Sequence, residues 1–205
     1  MAAVAGRMRH DANQPVASVR IPVPARFARS KAAPAFRPYS PPAVAVAREE
    51  LPRSAEQRIR ELGLAIPAGT SPAANYVNAV RTGNLLFIAG KAPLPEDGRL
   101  PKGRLGKEFT VEQGYRFART TALDLIAVMR AELGSLDRVA RVVEIQGFLN
   151  AVPEFEDHPK VMNGCSDLLV EVFGERGVHA RSVLGASSLR GGVPVILKAV
   201  VEVAP

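Results

Sequence analysis

The segment between Thr110 and Gly134 is the feature that most restricts what this chain can fold into. Thr110 is a good helix N-cap, and Gln113 stands three residues later, where it completes a capping box. Apolar residues then recur at helical spacing until Gly134, which predicts one long amphipathic helix. The stripe consists of Val111, Ala118, Ala122, Leu125, Met129 and Leu133. Such a stripe is stable only against another element, and we expect a sheet beneath it.

Strand-like segments surround this helix. Tyr76–Val80 and Leu85–Ala89 flank the turn cluster Thr82-Gly83-Asn84, which predicts a β-hairpin. Arg138–Leu149 alternates apolar and polar residues, as a half-buried strand does. The other predicted elements are a short helix from Ser54 to about Gly63, a helix from about Glu154 to Phe173, and a hairpin that pairs Arg181–Ala186 with Val195–Val203 across Arg190-Gly191-Gly192.

The predicted order after the first short helix is ββαβαββ, which places the chain in the α+β class with its helices on one face of a mixed sheet. We expect the other face to be apolar, and to expose Ile196, Val200, Val142 and Phe148 in a monomer. A large apolar sheet surface usually marks association. The pattern therefore predicts a homo-oligomer.

Residues 1–53 are expected to form a disordered basic extension, and residues 54–205 a folded domain. Prolines such as Pro15, Pro34 and Pro42 interrupt any continuous helix or strand in the extension. Residues 1–48 hold eight of the 27 Lys and Arg residues and one of the 20 Asp and Glu residues, which leaves 19 of each beyond them. The net charge of +7 therefore belongs to the extension. The neutral remainder argues against nucleic-acid binding by the folded part, because such binding depends on a basic surface.

The Arg-rich, acid-poor start is also typical of an organellar transit peptide, although its prolines leave no long amphipathic stretch. We favour an extended or misassigned start in an Ala/Arg/Pro-biased coding sequence, because the helical pattern is poor. We expect a cytoplasmic protein, with the mitochondrion or plastid as the alternative. No apolar run approaches the roughly 20 residues that span a bilayer, so no membrane partner is expected.

Cysteine and histidine use predicts neither a disulfide nor a metal site. Cys165 is the one cysteine of the chain, which indicates a reducing compartment and a packed helix thiol. His10, His158 and His179 show no metal-ligand spacing. We therefore predict no metal and no other cofactor.

A few residues are candidates for a ligand site. Arg181 lies at the start of a predicted strand, where a fixed guanidinium would offer a planar two-point clamp for a carboxylate. Tyr76 lies in the first hairpin, Gly90 follows the strand Leu85–Ala89, and Asn163 is expected to open the second long helix. Purely structural roles are also open to three of them: Arg181 could pair with a surface acid, Tyr76 could pack the hairpin, and Asn163 could be a helix N-cap.

In their order and spacing these residues resemble the Rid family, the reactive-intermediate deaminases also called RidA or YjgF, over about residues 54–203. The resemblance implies a chorismate-mutase-like fold and a homotrimer with ligand pockets between subunits. It also implies hydrolysis of enamines and imines, such as 2-iminobutanoate and 2-iminopropanoate, to ketoacids and ammonia. Arg181 would bind the substrate carboxylate with Gly90 nearby, Tyr76 would line the pocket, and Asn163 would lie at its rim. Some family members are described as L-PSP-type endoribonucleases or translation inhibitors, which is a minor alternative.

Lys198 departs from the family pattern. Deaminating members carry a glutamate here that helps to position the hydrolytic water, whereas an ammonium group only donates hydrogen bonds. If Arg181 and Lys198 face one cavity across the predicted hairpin, the two cations would favour a doubly negative ligand. Otherwise Lys198 would be an outward-pointing, solvated strand residue. With Arg181 it is the candidate catalytic residue.

Two functional hypotheses follow. The first is a trimeric enzyme that acts on 2-aminoacrylate-type enamines and imines. The second is a noncatalytic trimer that binds or senses a small carboxylate, with Arg181 retained and the water-positioning acid lost.

Overall fold

The computed structural model describes residues 54–72 and 74–205. The disordered extension predicted for residues 1–53 lies outside this part of the chain. The elements, in chain order, are α1 (Ala55–Glu61), β1 (Ala79–Thr82), β2 (Leu85–Lys91), α2 (Val111–Leu133), β3 (Val139–Asn150), α3 (His158–Phe173), β4 (Ala180–Ala186) and β5 (Val195–Val203). The predicted ββαβαββ order after the first helix is confirmed.

The five strands form one mixed sheet in the order β1-β2-β5-β3-β4. The predicted terminal hairpin is wrong, because β4 pairs with β3 in parallel while β5 lies between β2 and β3 and is antiparallel to both. Helix α3 is the crossover connection between β3 and β4, which allows β4 to run parallel to β3. β4 lies beside β3 at the outer edge of the sheet. β5 alternates fully buried with half-buried residues, which suits a central strand, whereas most of β4 is exposed.

The helix ends follow their capping signals. Thr110 forms both halves of its capping box with Gln113, and Gly134 closes α2 with a left-handed backbone at φ 74°. The second long helix begins at His158, later than the predicted Glu154, and Asp157 is its N-cap. Pro159 fixes this start, because proline is tolerated only in the first turn of a helix.

α2 and α3 pack side by side on one face of the sheet. A Cβ at Gly164 of α3 would overlap the carbonyl oxygen of Tyr115 in α2, so glycine permits this close contact. Arg119 and Glu171 join the two helices through a pair of hydrogen bonds of 2.6 and 3.1 Å. The packing holds α3 beside the β3–β4 edge, where its middle turns reach β4.

The other face of the sheet is largely apolar. Phe148, Ile196 and Val200 lie on it, as predicted, but they are half-buried and not exposed. Val80, Phe87 and Leu184 add to this face with 56%, 44% and 59% exposure. Val142 was predicted on this face but is fully buried under the helices. A register irregularity between Val142 and Glu144 interrupts the strict alternation of β3, which reverses the face on which Val142 lies. In the described part of the chain, no helix is both long and apolar enough to cross a bilayer.

Candidate functional site

Arg181 projects from edge strand β4 toward α3. Its Nη1 donates hydrogen bonds to Asn163 Oδ1 at 2.9 Å and to Ser166 Oγ at 3.1 Å. Across residues 54–72 and 74–205 no carboxylate forms an ion pair with Arg181, so pairing with a surface acid does not account for it there. Within the described part of the chain, the Nε and Nη2 atoms of Arg181 make no hydrogen bond. One nitrogen therefore fixes the guanidinium, and its other edge remains for a two-point contact.

Asn163 lies in the interior of α3, six residues into the helix, and does not open it. The prediction of a helix-start asparagine is therefore wrong, and so is the N-cap alternative. Because α3 starts at His158, Asn163 faces β4 one and a half turns later. Its amide oxygen accepts the hydrogen bond that orients Arg181.

A histidine and a serine that the sequence did not predict complete this cluster. His179 Nδ1 lies 2.6 Å from the Gly177 carbonyl oxygen, and His179 Nε2 lies 3.1 Å from Ser166 Oγ. Burial lowers the pKa of His179, and the nearby Arg181 charge acts in the same direction, although the Gly177 hydrogen bond opposes both. The sequence signal for His179 was its position two residues before Arg181, just ahead of the first residue of β4, whereas metal-ligand spacing gave none.

Tyr76 and Gly90 lie together at the other end of the sheet. Both line a cavity of about 210 Å³ beneath the loop that precedes β1. Tyr76 precedes β1 by three residues and is not in a strand, whereas Gly90 lies inside β2 and does not follow it. A Cβ at Gly90 would approach Ile196 Cγ2 to 3.0 Å, so a side chain there would crowd β5.

A buried ion pair forms part of the wall of this cavity. Lys91 and Asp124 have 5% and 0% exposure, with 4.0 Å between Lys91 Nζ and Asp124 Oδ2. Lys91 Nζ also donates to Asn78 Oδ1 at 2.6 Å and to both oxygens of Thr70 at 3.2 Å. Thr70 in turn donates to Asp124 through its amide and its hydroxyl, at 3.0 and 2.6 Å. The sequence does hold a signal for this pair, because Asp124 is the one charged residue in the run 121–129.

Lys198 lies on the open face of the sheet. Lys198 on β5 lies opposite Gln146 on β3, which lies opposite Ser182 on β4, so these three form one row across the sheet. Arg181 on β4 belongs to the next row, with Ile145 on β3 and Ala199 on β5. Residues of one row point to the same face, and successive rows alternate. Within one chain Arg181 and Lys198 therefore lie on opposite faces, and the prediction of a shared cavity across a hairpin is wrong. Lys198 is half-buried and lines a cavity of about 330 Å³ with Phe87 and Gly90.

The candidate residues therefore form two groups in one chain. Arg181 and Asn163 lie at the β4 edge, whereas Tyr76, Gly90 and Lys198 line adjoining cavities around β2. β5 and β3 separate β2 from β4, which amounts to three strand spacings or about 14 Å. A small ligand held by Arg181 cannot reach the second group of the same chain.

Cys165 and the remaining described histidine do not add chemistry to the site. Cys165 is fully buried, and this burial raises the pKa of its thiol to about 12, so it is a packed thiol as predicted. His158 packs the edge of its ring against Phe155. In the described residues no three His, Cys, Asp or Glu side chains are placed to share a metal ion.

The fold defines an α+β protein of the chorismate-mutase-like class. Residues 56–193 match the family described as "YjgF/chorismate_mutase-like, putative endoribonuclease". The chain belongs to this family, which confirms the Rid resemblance.

Individual relatives agree with this assignment. Protein TCP17 of Trypanosoma cruzi is 42% identical over 145 residues, which cover 70% of this chain and 91% of that protein. Atu1372 from Agrobacterium tumefaciens, a protein of unknown function with a crystal structure, is 37% identical to this chain, and its structure superposes with a TM-score of 0.67. The match covers 73% of this chain and 92% of the Atu1372 chain. The crystal structure of a "putative endoribonuclease" from Shewanella oneidensis is 30% identical in sequence and has a TM-score of 0.71. The match covers 73% of this chain and 99% of the Shewanella chain.

Proposed function

We propose that the protein is a homotrimer that binds carboxylate-bearing enamines or imines of the 2-aminoacrylate type between its subunits, and hydrolyses them to a ketoacid and ammonia. The observation that carries this proposal is the guanidinium of Arg181. Asn163 and Ser166 hold its Nη1, and its Nε and Nη2 are directed away from these contacts. Two parallel N–H donors on a fixed plane match the two oxygens of a carboxylate.

The separation of the two residue groups supports a site between subunits. Arg181 lies on edge strand β4, and Gly90 lies on β2, three strand spacings or about 14 Å away across the sheet. Tyr76 lines the same cavity as Gly90. A second copy could bring its own Tyr76 and Gly90 to the Arg181 of the first. The apolar open face, with Val80 and Phe87 exposed, supplies a surface for such association.

The reaction needs little beyond orientation and proton transfer. The oxygen of a water molecule adds to the imine carbon, the nitrogen is protonated, and the carbon–nitrogen bond breaks. Ammonia leaves and the carbonyl of the ketoacid remains, whereas an enamine first takes up a proton to become the imine. The positive Arg181 holds the carboxylate, and the attacking water needs a proton acceptor.

Lys198 is the reason for a second candidate function. Its ammonium group cannot accept a proton from water, and it stands where the family resemblance implies a glutamate. A trimer that binds or senses a small carboxylate without turnover would need Arg181 and no such acceptor. RNA cleavage ranks below both, because residues 49–205 carry 19 basic and 19 acidic residues and so present no net positive charge.

An ammonia-release assay separates the two functions. We expect the wild-type protein to release ammonia from 2-aminoacrylate generated in the assay, and Lys198→Glu to increase the rate because it restores an acceptor. Lys107→Glu, at an exposed loop position, is the control and should not change the rate. Thermal stabilisation by pyruvate without ammonia release from either protein would favour the binding function. If the protein neither releases ammonia nor is stabilised by pyruvate at millimolar concentration, both proposed functions are wrong.

The oligomeric state is a separate prediction. Light scattering at micromolar concentration should give about three times the 21.9 kDa chain mass. Phe87→Asp should yield monomers, because it introduces a charge into the apolar open face. Val170→Asp is the matched control, since Val170 is exposed to nearly the same extent, 42% against 44%, but lies on α3. A monomeric wild type would contradict the trimer.

A further inference from the structure

Arg190 lines the same cavity of about 210 Å³ as Tyr76 and Gly90. It lies in the short turn before β5, and a backbone hydrogen bond of 2.9 Å from Gly103 N to Gly192 O ties this turn to the loop that follows β2. The Arg190 residue is exposed. Within the described part of the chain, neither a hydrogen bond nor an ion pair holds its guanidinium. The side chain is therefore available to a ligand in the cavity.

The other two charges on the cavity wall already satisfy each other. Lys91 Nζ has three N–H donors, and it meets three acceptors in Asn78 Oδ1 and the two oxygens of Thr70. The carboxylate of Asp124 accepts from the amide and the hydroxyl of Thr70, and Lys91 balances its charge. Among the described residues that line the cavity, Asp124 is the one acid, and Lys91 and Arg190 are the two cations. The uncompensated positive charge of the wall is therefore that of Arg190.

The proposed site between subunits gives this charge a place in substrate binding. A cavity wall with one uncompensated positive charge attracts an anion, and a guanidinium binds a carboxylate through two parallel hydrogen bonds. In the proposed site, Arg181 of one copy holds the carboxylate next to the imine carbon, and a second copy supplies Tyr76 and Gly90. Arg190 lines the cavity of Tyr76 and Gly90, so it comes to the site with them. The ligand then has a guanidinium available from each of the two copies.

We propose that Arg190 is a specificity-determining residue that binds a second carboxylate, so that the preferred ligands are 2-imino diacids and the 2-keto diacids that they yield. This inference rests on the proposed site between subunits. Arg181 of one copy binds the carboxylate beside the reacting carbon, and Arg190 of the second copy binds the carboxylate at the far end of the side chain. A ligand with one carboxylate leaves Arg190 in water and binds less tightly. Arg190 does not contact the reacting atoms, and the hydrolysis itself is unchanged.

Titration calorimetry with two ketoacids tests the role of Arg190. The wild-type protein should bind 2-oxoglutarate, which has two carboxylates, about 10–100-fold more tightly than pyruvate, which has one. Arg190→Gln should remove this difference and leave the affinity for pyruvate unchanged. Arg190→Glu should reverse it, because the new charge repels the second carboxylate. Arg60→Gln, at an exposed position of α1, is the matched control and should keep the wild-type preference. Unchanged unfolding midpoints would show that the variants are folded.

Ammonia release separates this inference from the proposed function. Arg190→Gln should raise KM for 2-iminoglutarate by about 10–100-fold with kcat nearly unchanged, and should not alter either constant for 2-aminoacrylate, because Arg190 contributes binding alone. If the wild type binds both ketoacids alike, or if the preference survives in Arg190→Gln, the inference is wrong. Ammonia release from 2-aminoacrylate would then leave the proposed function standing. A wild type that binds neither ketoacid and releases no ammonia overturns both proposals.

Discussion

Arg181→Ala is expected to lower kcat/KM for a carboxylate-bearing imine by about 10²–10³-fold, which corresponds to roughly 3–4 kcal/mol, since two charge-assisted hydrogen bonds are lost. The effect follows from the geometry at the β4 edge, where Asn163 and Ser166 fix one nitrogen of the guanidinium. The measurement is steady-state ammonia release with 2-aminoacrylate as substrate.

Two further variants sharpen this prediction. Arg181→Lys keeps the charge but loses the planar fork, and should recover only part of the activity. Arg60→Ala, at an exposed position of α1, is the matched control and should leave kcat/KM unchanged. Wild-type kcat/KM in Arg181→Ala would show that the carboxylate is not bound there.

Lys91→Met is expected to destabilise the folded protein by about 3–5 kcal/mol, the usual result when one partner of a buried ion pair is removed. Asp124 would remain fully buried with its charge uncompensated, and Asn78 and Thr70 would lose their donor. Urea unfolding at a fixed protomer concentration measures the loss, because the stability of an oligomer depends on concentration.

A double variant separates the buried charge from lost packing. Lys91→Met combined with Asp124→Leu should recover part of the stability, because no buried charge is then left unpaired. Lys107→Met, which breaks the exposed contact with Glu108, should not change the unfolding midpoint. If Lys91→Met unfolds at the wild-type urea concentration, the buried pair does not hold the loop of Thr70 and Asn78 against β2.

Local signals predicted much of the fold. The Thr110 capping box and Gly134 gave both ends of α2, because caps depend on a few adjacent residues. Strand pairing was harder, since alternation shows that a strand exists but not which strand it contacts. β4 and β5 were therefore placed side by side, although β3 separates them. Val142 was misplaced for a related reason, because an irregularity in β3 changes its face and no local pattern reveals it.

The site was predicted only in part. The family resemblance placed Arg181 and Asn163 at one pocket, and the two side chains do contact each other, although Asn163 lies inside α3 and not at its start. Lys198 was assigned to the same cavity because the wrong hairpin placed its strand beside Arg181. The Ser166–His179 and Lys91–Asp124 pairs were missed, since each joins two elements whose contact depends on tertiary packing.

A crystal structure of the assembled protein grown with pyruvate tests the central claim most directly. The account predicts the pyruvate carboxylate on Nε and Nη2 of Arg181, in a cleft that a second copy closes with its own Tyr76 or Gly90. Pyruvate bound elsewhere, or an Arg181 side chain in solvent with no second copy near it, would contradict the account.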